Sequence, residues 1–447
     1  MAEVAAKNDR SMGVSYQELI RQDVVPPPRT LTLESPFTGP LLAVPVSRYA
    51  TQAFHDLEMA KLWPKVWQMA CREEEIPNVG DFHLYEVGSF SIIVVRTKEG
   101  IRAHHNVCRH RGRRLCDDHG HAASFICPFH GFSWNTDGSS RGVTSDWDFP
   151  QVDRKDFALT PALADTWGGW VFINMDVNAQ PLAKFLGDLP EHFAVWSPEQ
   201  RYIQAHVAKI MSCNWKACQE AFMEAFHVIN THPQILTGIG DENTQYDAWG
   251  NFSRAITPNA TPSPHLRAAP SEQEMFDSVT MRYLDQPSFA QVPPGMTARA
   301  MMAAGARAGM QAVVGEGVPL SDACLSDSIY YTLFPNFHPW GGYSRIVYRF
   351  RPYKNHFDKS IMECYYMSPF AGERPASAPI HWLDEDQPWT DAPELGMLAR
   401  VFTQDTFNLP KVQLGLASAQ YDEIVLARYQ EAKIRHFHTL LADYIKA

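Results

Sequence analysis

The chain has 447 residues, 45% of them hydrophobic and 20% charged, a composition typical of a globular protein with two or three domains. Its net charge of −11 argues against a nucleic acid or an anionic membrane as the partner. The opening residues lack the apolar run of a signal peptide and no segment has the length of a transmembrane helix, so we expect a cytoplasmic protein without a membrane contact.

The first part of the chain predicts an arm followed by a β-module. Residues 1–45 are rich in proline and show no periodicity, which predicts an extended N-terminal arm that wraps a neighbouring subunit. A helical pattern then runs to Pro64. Short strand-like runs such as "FSIIVVRT" and "GGWVFINM" follow, separated by turn signals such as "TKEG" and "NTDGS". We therefore predict a small all-β module that follows this helix and ends near Asp176, within a domain over residues 46–180.

The remaining residues, 181–447, predict a second domain of mixed type. A helical connector and the strand-like "IQAHVAKIM" come first, and "MTARAMMAAGARAGMQAVV" later predicts a helix. Three strand-like runs then follow, of which "SRIVYRFRP" is one, and the tail from "ASAQYDEIV" onward has helical periodicity throughout. Strands and helices mixed in this order predict an α+β domain.

The β-module contains an unusual concentration of cysteine and histidine. Cys108-x-His110 and Cys127-x-x-His130 are separated by a short stretch of chain. In a reducing compartment such cysteines are better interpreted as metal ligands than as disulfides. Two thiolates and two imidazoles bind either a tetrahedral zinc ion or a 2Fe–2S cluster in which cysteines hold one iron and histidines the other.

A second Cys-x-x-His pair, Cys116 and His119, competes for the same role. Only five residues separate His110 from Cys116, too few for ligands on two facing loops, and the intervening Asp117 and Asp118 would add negative charge beside an anionic cluster. After Cys127, by contrast, "PFHGFSW" supplies proline and glycine, which let a loop turn around inorganic sulfur.

Further along, "ACQEAFMEAFHVINTHPQI" begins as an amphipathic helix and places His227 and His232 five residues apart. On a regular helix these positions point about 140° apart. Taken alone, the pair does not predict a metal site.

These motifs together resemble one family. "CRHRG" followed by "CPFHGF" is similar to the cluster signature of the Rieske non-haem iron aromatic-ring-hydroxylating oxygenases, in their catalytic (alpha) subunit. The resemblance continues through "LWPKVW", "WGGWVFINMD" and "NWKACQEAFMEAFHVINTHP". It implies a Rieske 2Fe–2S cluster on Cys108, His110, Cys127 and His130, and a catalytic domain built as an antiparallel sheet covered by helices, of helix-grip or START-like type.

The resemblance also implies a mononuclear Fe(II) held by His227, His232 and one downstream carboxylate. Asp405 is the best match, because Gln413 and Gly415 follow it as in the family pattern. Such a facial triad leaves coordination positions open for O₂ and substrate. Pro233 disfavours helical geometry at His232, so the helix should end there and let His232 turn back towards His227.

Glu224 precedes His227 by three residues and so lies on nearly the same helix face. The resemblance gives Glu224 the bridge for electron transfer between His227 and His130 of a neighbouring subunit, a position where the family more often has Asp. The alternative is a solvated helix acid. Gln219, Glu220 and Phe226 also depart from the family pattern.

The implied reaction is O₂-dependent mono- or dioxygenation, or oxidative demethylation, of a hydrophobic or aromatic substrate. The chain has no Gly-x-Gly-x-x-Gly nucleotide fingerprint after a strand, so electrons should come from a separate reductase or ferredoxin. A homotrimer is expected, with an accessory beta subunit left open. A Rieske electron carrier without catalysis and a zinc-stabilised binding protein remain as alternatives.

Pocket candidates are segment 221–226, the insertion 295–315 and segment 330–340, all largely apolar. Arg345, Arg349 and Arg351 alternate along a predicted strand. They are interpreted either as ligands of a substrate carboxylate or as a solvated sheet face.

Overall fold

The computed structural model describes residues 13–35, 39, 43–280, 290–315 and 320–446. Within them the strands are β1 (Ala43–Pro45), β2 (Gln68–Arg72), β3 (Asp81–Val87), β4 (Phe90–Thr97), β5 (Gly100–His105), β6 (Gly120–His121), β7 (Ser124–Ile126), β8 (Ser133–Asn135), β9 (Ser140–Gly142), β10 (Pro161–Trp167), β11 (Trp170–Asn174), β12 (Arg201–Met211), β13 (Gln245–Trp249), β14 (Phe252–Thr257), β15 (Ser328–Leu333), β16 (Phe337–Pro339), β17 (Ile346–Pro352), β18 (Ser360–Pro369), β19 (Ile380–Leu383) and β20 (Glu423–Val425).

The helices in the same ranges are α1 (Tyr16–Ile20), α2 (Ser47–Ala50), α3 (Gln52–Lys61), α4 (Leu182–Leu186), α5 (Leu189–Phe193), α6 (Trp215–Glu220), α7 (Val228–Thr231), α8 (Glu272–Thr280), α9 (Ala298–Val314), α10 (Asp322–Ser326), α11 (Leu398–Ala417) and α12 (Ala432–Lys446). None of these helices combines the length and apolar composition needed to cross a bilayer.

The N-terminal module is built from two antiparallel sheets. One has the strand order β2-β11-β10-β5-β4-β3-β6, and the smaller one has the order β7-β8-β9. Phe82, Phe125 and Trp134 pack into a shared core between them, together with the buried Cys108 and Cys127. The all-β character predicted for this part of the chain is confirmed, and its core places both cysteines next to a rigid support.

The second domain is an eight-stranded sheet in the order β13-β14-β15-β16-β17-β18-β12-β19. All neighbours pair antiparallel except β12 and β19, which are parallel. Helices α6 and α12 lie against the sheet, and α11 packs on α6. The predicted α+β domain, an antiparallel sheet covered by helices, is confirmed.

The predicted arm, residues 1–45, lies partly outside the described residues, which exclude 1–12, 36–38 and 40–42. Its described part contacts the second domain of the same chain. The Tyr16 hydroxyl donates to Asp327 at 2.9 Å, and the backbone N–H of Ser35 donates to Asp247 at 2.7 Å. The arm therefore belongs to the core of its own chain along this stretch.

The tail is not helical throughout, as its periodicity had suggested. Segment β20 pairs antiparallel with β1, and α12 begins only at Ala432. Pairing with a distant strand supplies backbone hydrogen bonds that outweigh a modest helical preference. As a result, the two ends of the chain are joined in one small sheet.

A buried ion cluster joins the two domains. Arg349 donates to both carboxylate oxygens of Glu363 at 2.7 Å, and Arg351 donates to one of them at 3.1 Å. Arg349 also donates to the carbonyl oxygens of Met69 and Ala70 on β2, at 3.1 and 2.6 Å. Both predicted interpretations of these two arginines were wrong: they are neither solvated nor free for a substrate.

We expect Glu363→Gln to lower the free energy of unfolding by about 3–5 kcal/mol at neutral pH, because it leaves two buried guanidinium groups without their counter-charge. Burial raises the pKa of Glu363, but the charges of Arg349 and Arg351 outweigh it and hold that pKa well below its usual range. The stabilisation is therefore complete above the unfolded value, about 4.3, and is lost as the pH falls through the folded value.

Urea denaturation of the wild type and of Glu363→Gln, at pH 7 and at pH 4, measures this effect. The difference in their free energies of unfolding should be smaller at pH 4. Glu373→Gln, at an exposed glutamate, is the control and should change stability by less than about 0.5 kcal/mol. A Glu363→Gln protein as stable as wild type at pH 7 would contradict the assignment.

Candidate functional site

The two cysteine loops of the N-terminal module are closed in the same way. Cys108 N–H donates to the Arg113 carbonyl at 2.8 Å, and the Cys108 carbonyl accepts from Gly112 N–H at 2.9 Å. In the second loop, Cys127 N–H donates to the Phe132 carbonyl at 2.8 Å, and the Cys127 carbonyl accepts from Gly131 N–H at 2.9 Å. Two short loops thus project their cysteine and histidine side chains from equivalent positions.

Glycine is required in both loops. Gly112 and Gly131 have φ values of +76° and +77°, a region that favours glycine. At Gly131 a Cβ would also lie 2.8 Å from the Thr144 hydroxyl oxygen. These turns keep the loops tight enough to bring the four predicted ligands together.

The donor groups form a compact set. Cys108 and Cys127 are buried in the same core cluster, and burial raises the pKa of Cys108. The rings of His110 and His130 have centroids 4.6 Å apart, and His110 stacks on Phe132. Among the described residues, the buried Nδ1 of His110 has no hydrogen-bond partner. Paired sulfurs, paired imidazoles and an unsatisfied ring nitrogen fit a Rieske cluster.

The competing pair, Cys116 and His119, is engaged elsewhere. Asn106 binds the backbone N–H and carbonyl of Cys116, and burial raises the pKa of the Cys116 thiol to about 11. His119 Nδ1 accepts from the backbone N–H of Leu84, and its ring stacks on His83. The backbone of Cys116 and the ring of His119 thus have structural partners of their own.

The predicted helix through His227 is broken. Helix α6 ends at Glu220, and α7 spans only Val228–Thr231. Between them the Ala225 N–H donates to the Tyr246 hydroxyl at 2.9 Å, and Glu224 accepts from His227 N–H at 2.9 Å. Such bonds satisfy N–H groups that would otherwise extend the helix. The predicted end before Pro233 agrees with the structure.

His227, His232 and Asp405 converge, in the grouping that the family resemblance implies for a metal site. One Asp405 carboxylate oxygen lies 2.6 Å from His232 Nε2 and 3.5 Å from His227 Nε2. One donor atom from each residue lies within 4.8 Å of the other two. The short helix α7 separates the histidines, which removes the mismatch of their spacing on a regular helix, and α11 supplies the carboxylate.

Electrostatics in this triad favour a cation. Burial lowers the pKa of His227, but the charge of Glu224 and the hydrogen bond to Asp405 raise it to about 10. Burial raises the pKa of Asp405, but its hydrogen bonds to both histidines outweigh burial and hold that pKa below its usual value. Two imidazoles and a carboxylate in this arrangement are the donor set of a facial triad with open positions.

Hydrogen bonds at Nδ1 orient both histidine rings. Glu224 Oε1 lies 2.8 Å from His227 Nδ1, and Gln404 Oε1 lies 2.8 Å from His232 Nδ1. Each imidazole is therefore held through Nδ1 with Nε2 directed at Asp405. Sequence reasoning missed Gln404, although its position next to Asp405 is a usable signal.

Three other residues singled out from the sequence, Gln413, Gln219 and Glu220, have structural partners. Gln413 accepts from the Asn214 N–H at 2.8 Å, which ties α11 to the start of α6. Gln219 contacts His338 at 3.1 Å, and Glu220 accepts from the Tyr49 hydroxyl. The departures from the family pattern at Gln219 and Glu220 thus fall in contacts that support the helix before the triad.

A cavity of about 570 Å³ opens onto the triad. Phe222, Ile235, Tyr330 and Trp340 contribute to its wall, so two of the three predicted pocket segments reach it. No described residue of the third segment, 295–315, lines the cavity. Sequence reasoning missed the contribution of α8 through Val279 and of the start of α11.

Comparisons with known proteins agree with this architecture. Residues 66–151 match the family model for a Rieske 2Fe–2S domain, and residues 196–447 match the model for the catalytic domain of the ring-hydroxylating alpha subunit. The chain is 31% identical over 198 residues to the oxygenase subunit of glycine betaine monooxygenase from Pseudomonas aeruginosa, covering 43% of this chain and 46% of that one. It is 31% identical over 224 residues to the alpha subunit of biphenyl 2,3-dioxygenase from Rhodococcus jostii, covering 45% and 49%.

These matches span about half the length of the curated relatives. Solved structures extend the likeness of fold to most of the chain. The quaternary ammonium Rieske monooxygenase CntA aligns over 90% of this chain and 96% of its own, with a TM-score of 0.62 and 19% identity. A naphthalene 1,2-dioxygenase variant bound to phenanthrene aligns over 91% and 93%, with a TM-score of 0.62 and 16% identity. Since a family model covers more than half of its length, the chain belongs to the ring-hydroxylating alpha subunit family of Rieske non-haem iron oxygenases.

Proposed function

We propose that the chain is the terminal oxygenase of a multicomponent system, in which a separate reductase or ferredoxin delivers electrons and O₂ is the oxidant. The observation that carries the proposal is the convergence of His227, His232 and Asp405 beside a cavity, in a chain that also carries a Rieske domain. The residues proposed to hold the two cofactors are Cys108, His110, Cys127 and His130 for the cluster, and His227, His232 and Asp405 for the Fe(II).

When bound, the cluster supplies single electrons and the iron supplies the open positions at which O₂ is reduced. The chain's own residues do the rest. Glu224 and Gln404 hold the two imidazoles by their Nδ1 atoms, and the side chains of Phe222 and Ile235 give the cavity an apolar wall next to the triad. The cavity volume suits a small organic substrate held next to the triad.

Glu224 is the proposed bridge between subunits of a homotrimer. Its carboxylate contacts His227 yet keeps part of its surface exposed, so a second group can reach it. On the N-terminal module, His130 stands at a rim where Ile126 and Phe129 are 56% and 55% exposed. An apolar rim around a cluster histidine fits docking on another copy, with His130 of that copy facing Glu224.

A hydrophobic or aromatic substrate is the class proposed, since aromatic and aliphatic side chains dominate the wall near the triad. A second candidate is an N-methylated ammonium compound, the class named for glycine betaine monooxygenase. Trp340 has its ring centroid 5.4 Å from that of Tyr330 and 6.0 Å from that of Tyr348, which lies nearly perpendicular. Aromatic walls of this kind also bind quaternary ammonium groups.

Turnover with isotopically labelled O₂ tests the activity. Purified protein, a ferredoxin and reductase pair and NADH would be incubated with matched panels of aromatic and N-methylated substrates. Label in a hydroxylated or demethylated product supports the proposal and selects the substrate class. A chain that only passes electrons would reduce an acceptor and incorporate no label with any substrate.

We expect His227→Ala to remove the mononuclear iron and leave the cluster. Iron content should fall from about three to about two atoms per chain, while the visible spectrum of the cluster persists. Metal analysis and product formation measure the two effects. O₂-dependent product formation at the wild-type rate would sink the metal-ligand assignment.

We expect Glu224→Gln to keep both metals but to slow reoxidation of the reduced cluster by O₂ and substrate by more than about 100-fold, beyond the 10–100-fold expected from losing an outer contact of a metal ligand. Stopped-flow absorbance of the cluster measures the rate. Glu224→Asp should recover part of it. The control is Glu220→Gln, which neutralises the acid that contacts Tyr49; equal slowing in both variants would rule out a specific bridge.

We expect Gln404→Ala to weaken iron binding at the triad by about 10–100-fold, since His232 loses the acceptor that orients it. Iron titration of the metal-depleted triad, with the cluster intact, measures the affinity. Gln234→Ala is the matched control, because Gln234 contacts Gln404 and not the histidine. Equal affinities for Gln404→Ala and wild type would contradict the orienting role.

A further inference from the structure

A second group of metal-binding side chains lies in the N-terminal module, apart from both cofactor sites. Cys71 on β2, Glu75 on the turn that follows and His83 on β3 each place a donor atom within 4.8 Å of the other two. The Glu75 Oε1 to His83 Nδ1 distance is 3.8 Å. Tetrahedral zinc, with bonds of roughly 2.0–2.3 Å, holds its donors roughly 3.3–3.7 Å apart, so small side-chain movements close the set around one ion.

The surrounding contacts orient two of these donors. The Arg72 backbone N–H donates to Glu75 Oε2 at 2.7 Å, which leaves Oε1 directed to His83. The His83 ring stacks on His119 with centroids 4.2 Å apart, and Leu84 N–H fixes His119 through its Nδ1. Carboxylate and imidazole are thus held by outer contacts of the kind that position metal ligands.

The site has an entrance and room for a water ligand. Glu75 and His83 line a cavity of about 660 Å³ between the two domains, and Cys71 lies fully buried behind them. Acidic side chains on the cavity wall, among them Asp117 and Asp118, favour a cation. The wall also carries Arg349, Arg351 and Lys354. Glu363 binds both arginines, which offsets part of their opposing charge.

We propose that Cys71, Glu75 and His83 form a binding site for Zn²⁺, with the fourth position facing the cavity. Thiolate, carboxylate and imidazole are zinc's usual ligands, and three protein ligands with one open position is a common zinc arrangement. The ion would tie β2 to β3, close to the point where Arg349 joins β2 to the catalytic sheet.

Zinc binding must displace a proton. Burial raises the pKa of the Cys71 thiol well above its usual value, with Glu75 adding to the effect, and burial lowers that of His83. The thiol is therefore protonated and the imidazole neutral before binding, so affinity should rise about tenfold per pH unit. Other charged or titratable groups facing the two side chains are Glu73, Arg96, His119, His206, Arg349 and Glu363.

The test is equilibrium dialysis of the iron-loaded protein against micromolar Zn²⁺, followed by metal analysis. Wild type should hold about one zinc ion per chain beyond its iron, with tighter binding at pH 8 than at pH 7. Cys71→Ala and His83→Gln should each lose that zinc. The visible spectrum of the Rieske cluster, unchanged in both variants, shows that the module is folded.

Two controls separate this site from the others. Cys116→Ala removes another thiol of the module and should keep the extra zinc, and so should His227→Ala, which disables the triad. Equal zinc content in wild type, Cys71→Ala and His83→Gln would overturn the proposal. So would zinc uptake that disappears in His227→Ala, because the ion would then occupy the iron site.

Discussion

The buried carboxylate of Glu363 is the interaction on which the arrangement of the two domains depends. It forms ion pairs with Arg349 and Arg351 on one strand of the catalytic sheet. Arg349 in turn donates a hydrogen bond to a backbone carbonyl of β2 in the N-terminal module. A desolvated charge cluster is tolerated only when every member is paired. A shift of one domain against the other would leave the ion pairs intact but break the bonds from Arg349 to the Met69 and Ala70 carbonyls, leaving buried N–H groups without acceptors. The cluster thus helps to set the relative position of the two domains.

The three residues of the triad lie on two different kinds of support. Asp405 sits on a long helix anchored by Gln413, whereas His227 and His232 flank a single short turn of helix. The irregular segment before that turn is held by Glu224 and by the Tyr246 hydroxyl. Asp405 on the long helix and the two histidines on the bent segment thus meet at one edge of the cavity, and all three side chains line it.

Features whose causes lie within a short stretch of the chain could be predicted from the sequence, and features that depend on distant residues could not. The cysteine loops are local: spacing, glycine and proline in a short run carry the motif. The two cysteines share one core and the two histidine rings lie 4.6 Å apart. Pro233 likewise signals where the helix ends. The break before His227 depends on a tyrosine beyond the segment, and the pairing of β20 with β1 joins opposite ends of the chain. Patterns along the sequence contain no record of such partners, and the partners of Arg349 were hidden for the same reason.

The distance along the chain between the proposed metal-binding residues has a consequence for how the protein is made. The four proposed cluster ligands lie within one short stretch of an early module, and that module's sheets draw only on nearby residues. His232 and Asp405, by contrast, are 173 residues apart, and β12 pairs with β18 and β19, which are synthesised long after it. Long-range pairings form late because the chain between them must first be closed into a loop. During synthesis on the ribosome, the cluster module can thus be complete while the iron site still awaits its carboxylate.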